Sequence, residues 1–166
     1  ALIGTTIYLF PLVDAKINEE DVFMSTEESN NIFSSEVFDN SYANNIAFAI
    51  NLGGENYPAS NGVNFEKDTT NLGLSLGTAD KILGSQDAEL YQTYVEGDFE
   101  LNKALPNGKY DVTLLFAEPM DISVGERVFD VHVNHNVELS AIDIRGMRDG
   151  KAYSALDKTV YDVVVN

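Results

Sequence analysis

Carboxylates are the groups to weigh first, because the chain carries 27 acidic against 10 basic side chains. Glu118, Glu126 and Asp130 flank one polar loop. Two carboxyls can work as acid and base at a glycosidic bond, but only in a cleft that holds them at a defined separation, and in so acidic a chain close pairs arise by chance. The acidic groups Glu19-Glu20-Asp21, Asp68 and those between Asp143 and Asp149 offer hard oxygens of the kind Ca2+ takes. None follows the calcium-loop spacing with its central glycine, so no cofactor is assigned, and Ca2+ stays open as an ion such oxygens can take. His132 and His135 stand on a strand and its turn with no cysteine anywhere in the chain, which argues against a zinc centre. There is no glycine-rich phosphate loop, serine elbow or Cys/His nucleophile pair, and the chain reads as a non-enzyme.

The elements that must position any site are strands. Tyr110, Val112, Leu114 and Phe116 alternate with Lys109, Asp111, Thr113 and Leu115, the period of a strand with one face on a core. Phe129, Val131 and Val133 repeat the pattern after the polar, breaker-rich loop 119–126, so the two sets should meet in the interior. Ile46, Phe48, Ile50 and Leu52 predict another strand ending at Gly53-Gly54. Short strands are expected at 90–93 and 98–101, a longer one at 137–144 after the turn Asn134-His135-Asn136, and a last one at 159–165. The stretches 55–89 and 145–155 read as loops. At the N-terminus, Thr5, Ile7 and Leu9 begin a strand that turns at 11–14 into a second, Ala15-Lys16-Ile17. Residues 24–45 are rich in Ser, Glu, Asn and Asp and read as a linker. No helical period longer than two turns is present, so the fold class is all-β.

With 166 residues the chain can bury a full core without disulfides, and its lack of cysteine agrees. A formal charge of −17 repels phosphate backbones and anionic lipid, so nucleic acid is not an expected partner. No apolar run reaches the roughly 20 residues of a spanning helix. A first residue other than methionine fits a mature secreted form or a piece of a longer protein.

Several short motifs fall in one order: Ala49-Ile50-Asn51-Leu52-Gly53-Gly54, Gly62-Val63-Asn64-Phe65, Leu90-Tyr91-Gln92-Thr93, Gly97-Asp98-Phe99, Gly108-Lys109-Tyr110, Phe116-Ala117-Glu118 and Arg127-Val128-Phe129-Asp130-Val131. Together they resemble a malectin-type domain. The resemblance implies an antiparallel, jelly-roll-like β-sandwich in an extracellular or cell-surface protein that binds glycans. It also implies a closing pair of strands after residue 165, and the match to that pair stands instead at the N-terminus, at 4–10 and 13–18. The domain plan is therefore 1–23 as closing strands, 24–45 as linker and 46–166 as the sandwich proper. The closing strands pair somewhere, since an open sheet edge leaves backbone groups unsatisfied. Either the sandwich is circularly permuted within one chain, or strands exchange between copies. The second arrangement would build a head-to-tail filament or tandem array of a structural module, with Ile7, Leu9 and Ile17 as the donated apolar face.

The family holds sugars on aromatic rings, and here this chain departs from it. Met120 and Asp121 occupy the place of a Tyr-Phe pair, and Glu96 that of a tyrosine. Asp14 matches a ligand-contacting position, and Tyr94 is near enough to replace one missing ring. The resemblance thus implies a more polar candidate glycan site made of Asp14, Tyr94, Glu96, Glu118, Met120 and Asp121.

Overall fold

A computed structural model describes residues 2–3, 6–11, 45–72 and 74–166, with backbone alone for 2–3, 6–11 and 75. The strands are β1 (Leu2–Ile3), β2 (Thr6–Pro11), β3 (Phe48–Asn51), β4 (Tyr57–Pro58), β5 (Asn64–Lys67), β6 (Ser75–Thr78), β7 (Thr93–Gly97), β8 (Gly108–Glu118), β9 (Phe129–Val133), β10 (Asn136–Ile142) and β11 (Ser154–Val165). A 3-10 turn, Ala88–Tyr91, precedes β7, and a single helical turn, α1 (Ile144–Met147), precedes β11. The fold is all-β, as the alternation requires. A six-stranded sheet has the order β11-β8-β2-β3-β5-β4, a three-stranded sheet the order β1-β7-β6, and β9 and β10 form a ribbon. All pairs are antiparallel except β3 with β5.

The apolar face of β8 meets β9 as its spacing predicts. Tyr110, Val112, Leu114 and Phe116 share one buried cluster with Phe129, Ile142, Ile144, Leu156 and Val160, with Val131 and Val133 packed at its edge. The Phe116 and Phe129 rings sit 5.2 Å apart, tilted, in the edge-and-face geometry that aromatic quadrupoles favour. The other face of β8 is a correction. Leu115 and Ala117 are buried too, in a second cluster with Ala49, Val63, Phe65, Ile82, Leu90 and Tyr91. Residues 55–89, expected to be loop, contain β4, β5 and β6 and fold over this face, so β8 is covered on both sides from Val112 onward.

Three other expectations fail for local reasons. The strand expected at 90–93 is instead the 3-10 turn followed by β7: Leu90 N–H donates to the Asp87 carbonyl and Gln92 N–H to that of Glu89. Such a tight turn puts the neighbours Leu90 and Tyr91 into one buried cluster, whereas a strand would send them to opposite faces. No strand forms at 98–101, where Phe99 and Leu101 pack irregularly against Ile50, Leu52 and Val95. The loop expected at 145–155 begins with α1, capped by Asp143, whose Oδ1 accepts from Gly146 N–H at 2.9 Å. The ribbon turn is as expected, with Asn134 and His135 both in the left-handed region that suits a two-residue hairpin. The last strand starts earlier than its alternation suggests, at Ser154, and slips register between Val160 and Val163 around the left-handed Asp162.

At the N-terminus, β2 lies between β3 and β8 of its own chain, with Ile7 opposite both Ile50 and Leu114. The side chains of Ile7 and Leu9 lie outside the described residues, as do Asp14, Ile17, the strand expected at 15–17 and nearly all of the linker expected at 24–45.

Candidate functional site

Glu118 is the last residue of β8, where Pro119 ends the ladder because it has no N–H to give. Its side chain is 1 % exposed, and a carboxylate so deep in protein must be paired and hydrogen-bonded. Both oxygens are engaged. Oε1 accepts from Met120 N–H at 3.0 Å, and Oε2 accepts from the Arg127 guanidinium. Arg127 stands at the end of the loop that connects β8 to β9, and its second amino group lies 3.7 Å from Glu96 Oε1 and 3.8 Å from the Met120 sulfur. One guanidinium thus gathers two carboxylates and a thioether.

Tyr94 and Glu96 are two residues apart on β7 and so project to the same side of the strand. The phenol end of Tyr94 packs closely on its cross-strand partner Gly77; a Cβ there would stand 2.2 Å from the ring's Cζ. Gly53, at φ +79°, makes the same concession to the strand backbone, since a Cβ would come within 2.8 Å of the Tyr94 carbonyl oxygen. Burial pushes the Tyr94 hydroxyl above its ordinary pKa, and the negative charges of Glu96 and Glu118 push the same way against the opposing pull of Arg127. At neutral pH this phenol is a hydrogen-bond donor. Glu96 and Met120 remain partly exposed, so the cluster is a buried ion pair with a polar outer lip.

The structure therefore brings together four of the six residues named from sequence, Tyr94, Glu96, Glu118 and Met120. Asp121 takes a different partner, Arg145 in place of Arg127. Its carboxylate accepts from Arg145 at 2.5 Å, and Arg145 also donates to the carbonyls of Ile122 and Gly150. Asp121 thereby ties the loop to α1, since a guanidinium with several fixed acceptors offers it a better partner than solvent. Asp14 lies outside the described residues. Arg127 is the residue that sequence reasoning missed. It is the single Lys or Arg between Lys109 and Arg145, in a stretch with many carboxylates. That imbalance was the available signal.

The other acids weighed for chemistry serve the backbone. Glu126 accepts from Ser123 N–H at 2.8 Å and Asp130 from Ala141 N–H at 2.7 Å, so neither stands opposite Glu118 as a free acid or base. Asp68 accepts from Gly53 N–H, and Asp143 from both Gly125 and Gly146 N–H. A further polar cluster joins Tyr91, whose hydroxyl donates to Asp157 at 2.6 Å, with Arg148 nearby. Burial raises the Asp157 pKa, against the lowering effects of Tyr91 and Arg148.

Against known proteins, residues 46–166 match the Malectin domain family. Malectin-B of Xenopus laevis is 30% identical over 115 residues, covering 61% of this chain and 40% of that protein. Malectin-A of the same species is 31% identical over 115 residues, with the same coverage. The chain thus matches well under half the length of these curated relatives. No solved structure matches it. The family match takes in all of β3 to β11 and every described residue of the Arg127 cluster, so by the greater part of its length this chain belongs to the malectin domain family.

Proposed function

We propose that this chain is a non-catalytic, extracellular or cell-surface glycan-binding module, closed by its own N-terminal strand, that recognises hydroxyl groups rather than stacking sugar rings. The observation that carries this reading is the convergence of Tyr94, Glu96 and Met120 on Arg127 at one edge of the protein. A carboxylate accepts from one hydroxyl while the adjacent guanidinium donates to the next, which suits a vicinal diol. Little aromatic surface is available there, because Tyr94 is 7 % exposed and its ring is spent on Gly77. The self-closed arrangement is supported by the pairing of β2 with β3 and β8. A glycan array spanning neutral and acidic polysaccharides tests the reading, with Glu96→Ala as the control because Glu96 is partly solvent-exposed. Binding that falls at least tenfold in the variant is expected. Equal signals from the two proteins, or none from either, would end it.

A second reading is favoured by β9, which has no second neighbour among the described residues. Here residues 1–23 of one copy complete the next, and the chain is a structural module in a head-to-tail filament. Light scattering on dilute protein, repeated after deletion of residues 1–21, separates the two readings. A discrete monomer rejects the filament, and filaments abolished by the deletion reject self-closure.

A further inference from the structure

The charges in the Arg127 cluster do not balance. Glu118 and Glu96 set two negative charges against the one positive charge of Arg127. Glu118 is buried and holds the guanidinium in a hydrogen bond, whereas the contact of Arg127 with Glu96, at 3.7 Å, is longer than a hydrogen bond. Among the described residues no other Lys or Arg pairs with Glu96, and its carboxylate accepts no hydrogen bond. The uncompensated charge therefore lies on the partly exposed side of the cluster, at Glu96.

Tyr94 adds an unused hydroxyl. The side chain is buried and its phenol end packs on Gly77, yet among the described residues the hydroxyl has no hydrogen-bond partner. A buried polar group ordinarily has one. Tyr94 projects from β7 on the same side as Glu96 and feels the charges of Glu96, Glu118 and Arg127. A ligand at this corner thus meets a free carboxylate, a free phenol and the partly exposed Met120 thioether.

We infer that the site selects cationic glycans, namely sugars with a free amine beside a hydroxyl, over their neutral and acidic counterparts. This deepens the glycan-binding reading above and rests on it. An ammonium in place of the first hydroxyl of a vicinal pair gives Glu96 a charged donor, and such a bond is about twice as strong as a neutral one. The neighbouring hydroxyl is left for the Tyr94 phenol, which can donate to it or accept from it. A uronate or sulfate instead sets like charge against Glu96. The whole chain acts in the same direction, because a charge of −17 draws cations and repels anions, within a Debye length of roughly 8 Å in physiological salt.

Calorimetric titration of the whole chain with a glucosamine tetrasaccharide and with its fully N-acetylated counterpart tests this, in mildly acidic buffer where the sugar amine is protonated. The cationic ligand should bind at least about tenfold more tightly than the neutral one. Glu96→Gln, which keeps the side chain's size and an acceptor but not its charge, should abolish that difference. Asp162→Asn controls for attraction to the chain as a whole. It removes a charge beside Asp111, at the opposite end of β8 from Glu118, and should leave the difference in place. Equal affinities in the wild type, tighter binding of the neutral ligand, or the same loss in Asp162→Asn as in Glu96→Gln would overturn the inference. Equal affinities would leave the glycan-binding reading standing, whereas no binding of either ligand would remove both.

Discussion

Removing the Arg127 charge is the most direct trial of the buried cluster. Arg127→Met keeps an apolar stem of similar length but leaves Glu118, 1 % exposed, with Met120 N–H as its remaining partner among the contacts described. Stranding one member of a buried ion pair costs about 3–5 kcal/mol. In a chain of this size each kcal/mol moves the melting midpoint by about 2–4 °C, so a fall of roughly 6–20 °C is expected. Glu118→Gln should cost less, about 1–3 kcal/mol, because the amide oxygen still accepts from Met120 N–H. The guanidinium it strands is also less buried, at 11 % exposure, and keeps Glu96 at 3.7 Å. The double variant should be more stable than the sum of the two losses implies, by about 0.5–3 kcal/mol of coupling. Thermal melts followed by far-ultraviolet circular dichroism, with urea titrations at pH 7, give all three values. If Arg127→Met melts within about 2 °C of the wild type, or Glu118→Gln proves the more damaging change, the cluster is not a buried pair of this kind.

Gly77→Ala should destabilise by about 1–3 kcal/mol through overlap with the Tyr94 ring, and Tyr94→Leu in the same protein should recover part of the loss in a urea titration. A wild-type urea midpoint for the single variant would mean that the ring moves aside freely. Asp157 gives a pH signature. Its pKa is raised in the folded state, so the native protein holds this proton more tightly than the unfolded chain does. That contribution is complete below the unfolded value of 3.8 and is lost as pH rises through the folded one. Asp157→Asn, which keeps an acceptor for Tyr91, should therefore match or modestly exceed the wild-type urea midpoint at pH 7 and lose that advantage near pH 3. A variant clearly weaker than wild type at pH 7 would show that the attractions of Tyr91 and Arg148 outweigh burial. In a spectrophotometric titration, Tyr94 should ionise above the ordinary tyrosine range, and Tyr94→Phe should remove a late-titrating amplitude.

The sequence by itself determined the strands whose alternation is strong and the class they build. Tyr110 to Phe116 and Phe129 to Val133 face one another because a period of two leaves each strand a single apolar side to hide. It also marked Glu96 and Met120, because unusual residues at the positions of a family motif can be read without coordinates, and Tyr94 and Glu118, because they stand beside or within such motifs. What the tertiary structure decided is the company these residues keep. Leu115 looked like an outward residue among polar neighbours until residues 55–91 folded across it, a long-range event that no local period records. Leu90 and Tyr91 are adjacent, and a tight turn rather than a strand brings both into the same cluster. Asp121 and Met120 are neighbours in the chain but part company in space, because Arg145 claims one and Arg127 lies beside the other. In a chain with 27 acids and 10 bases, every cation has many potential partners, and only the packed arrangement settles which carboxylate reaches it first.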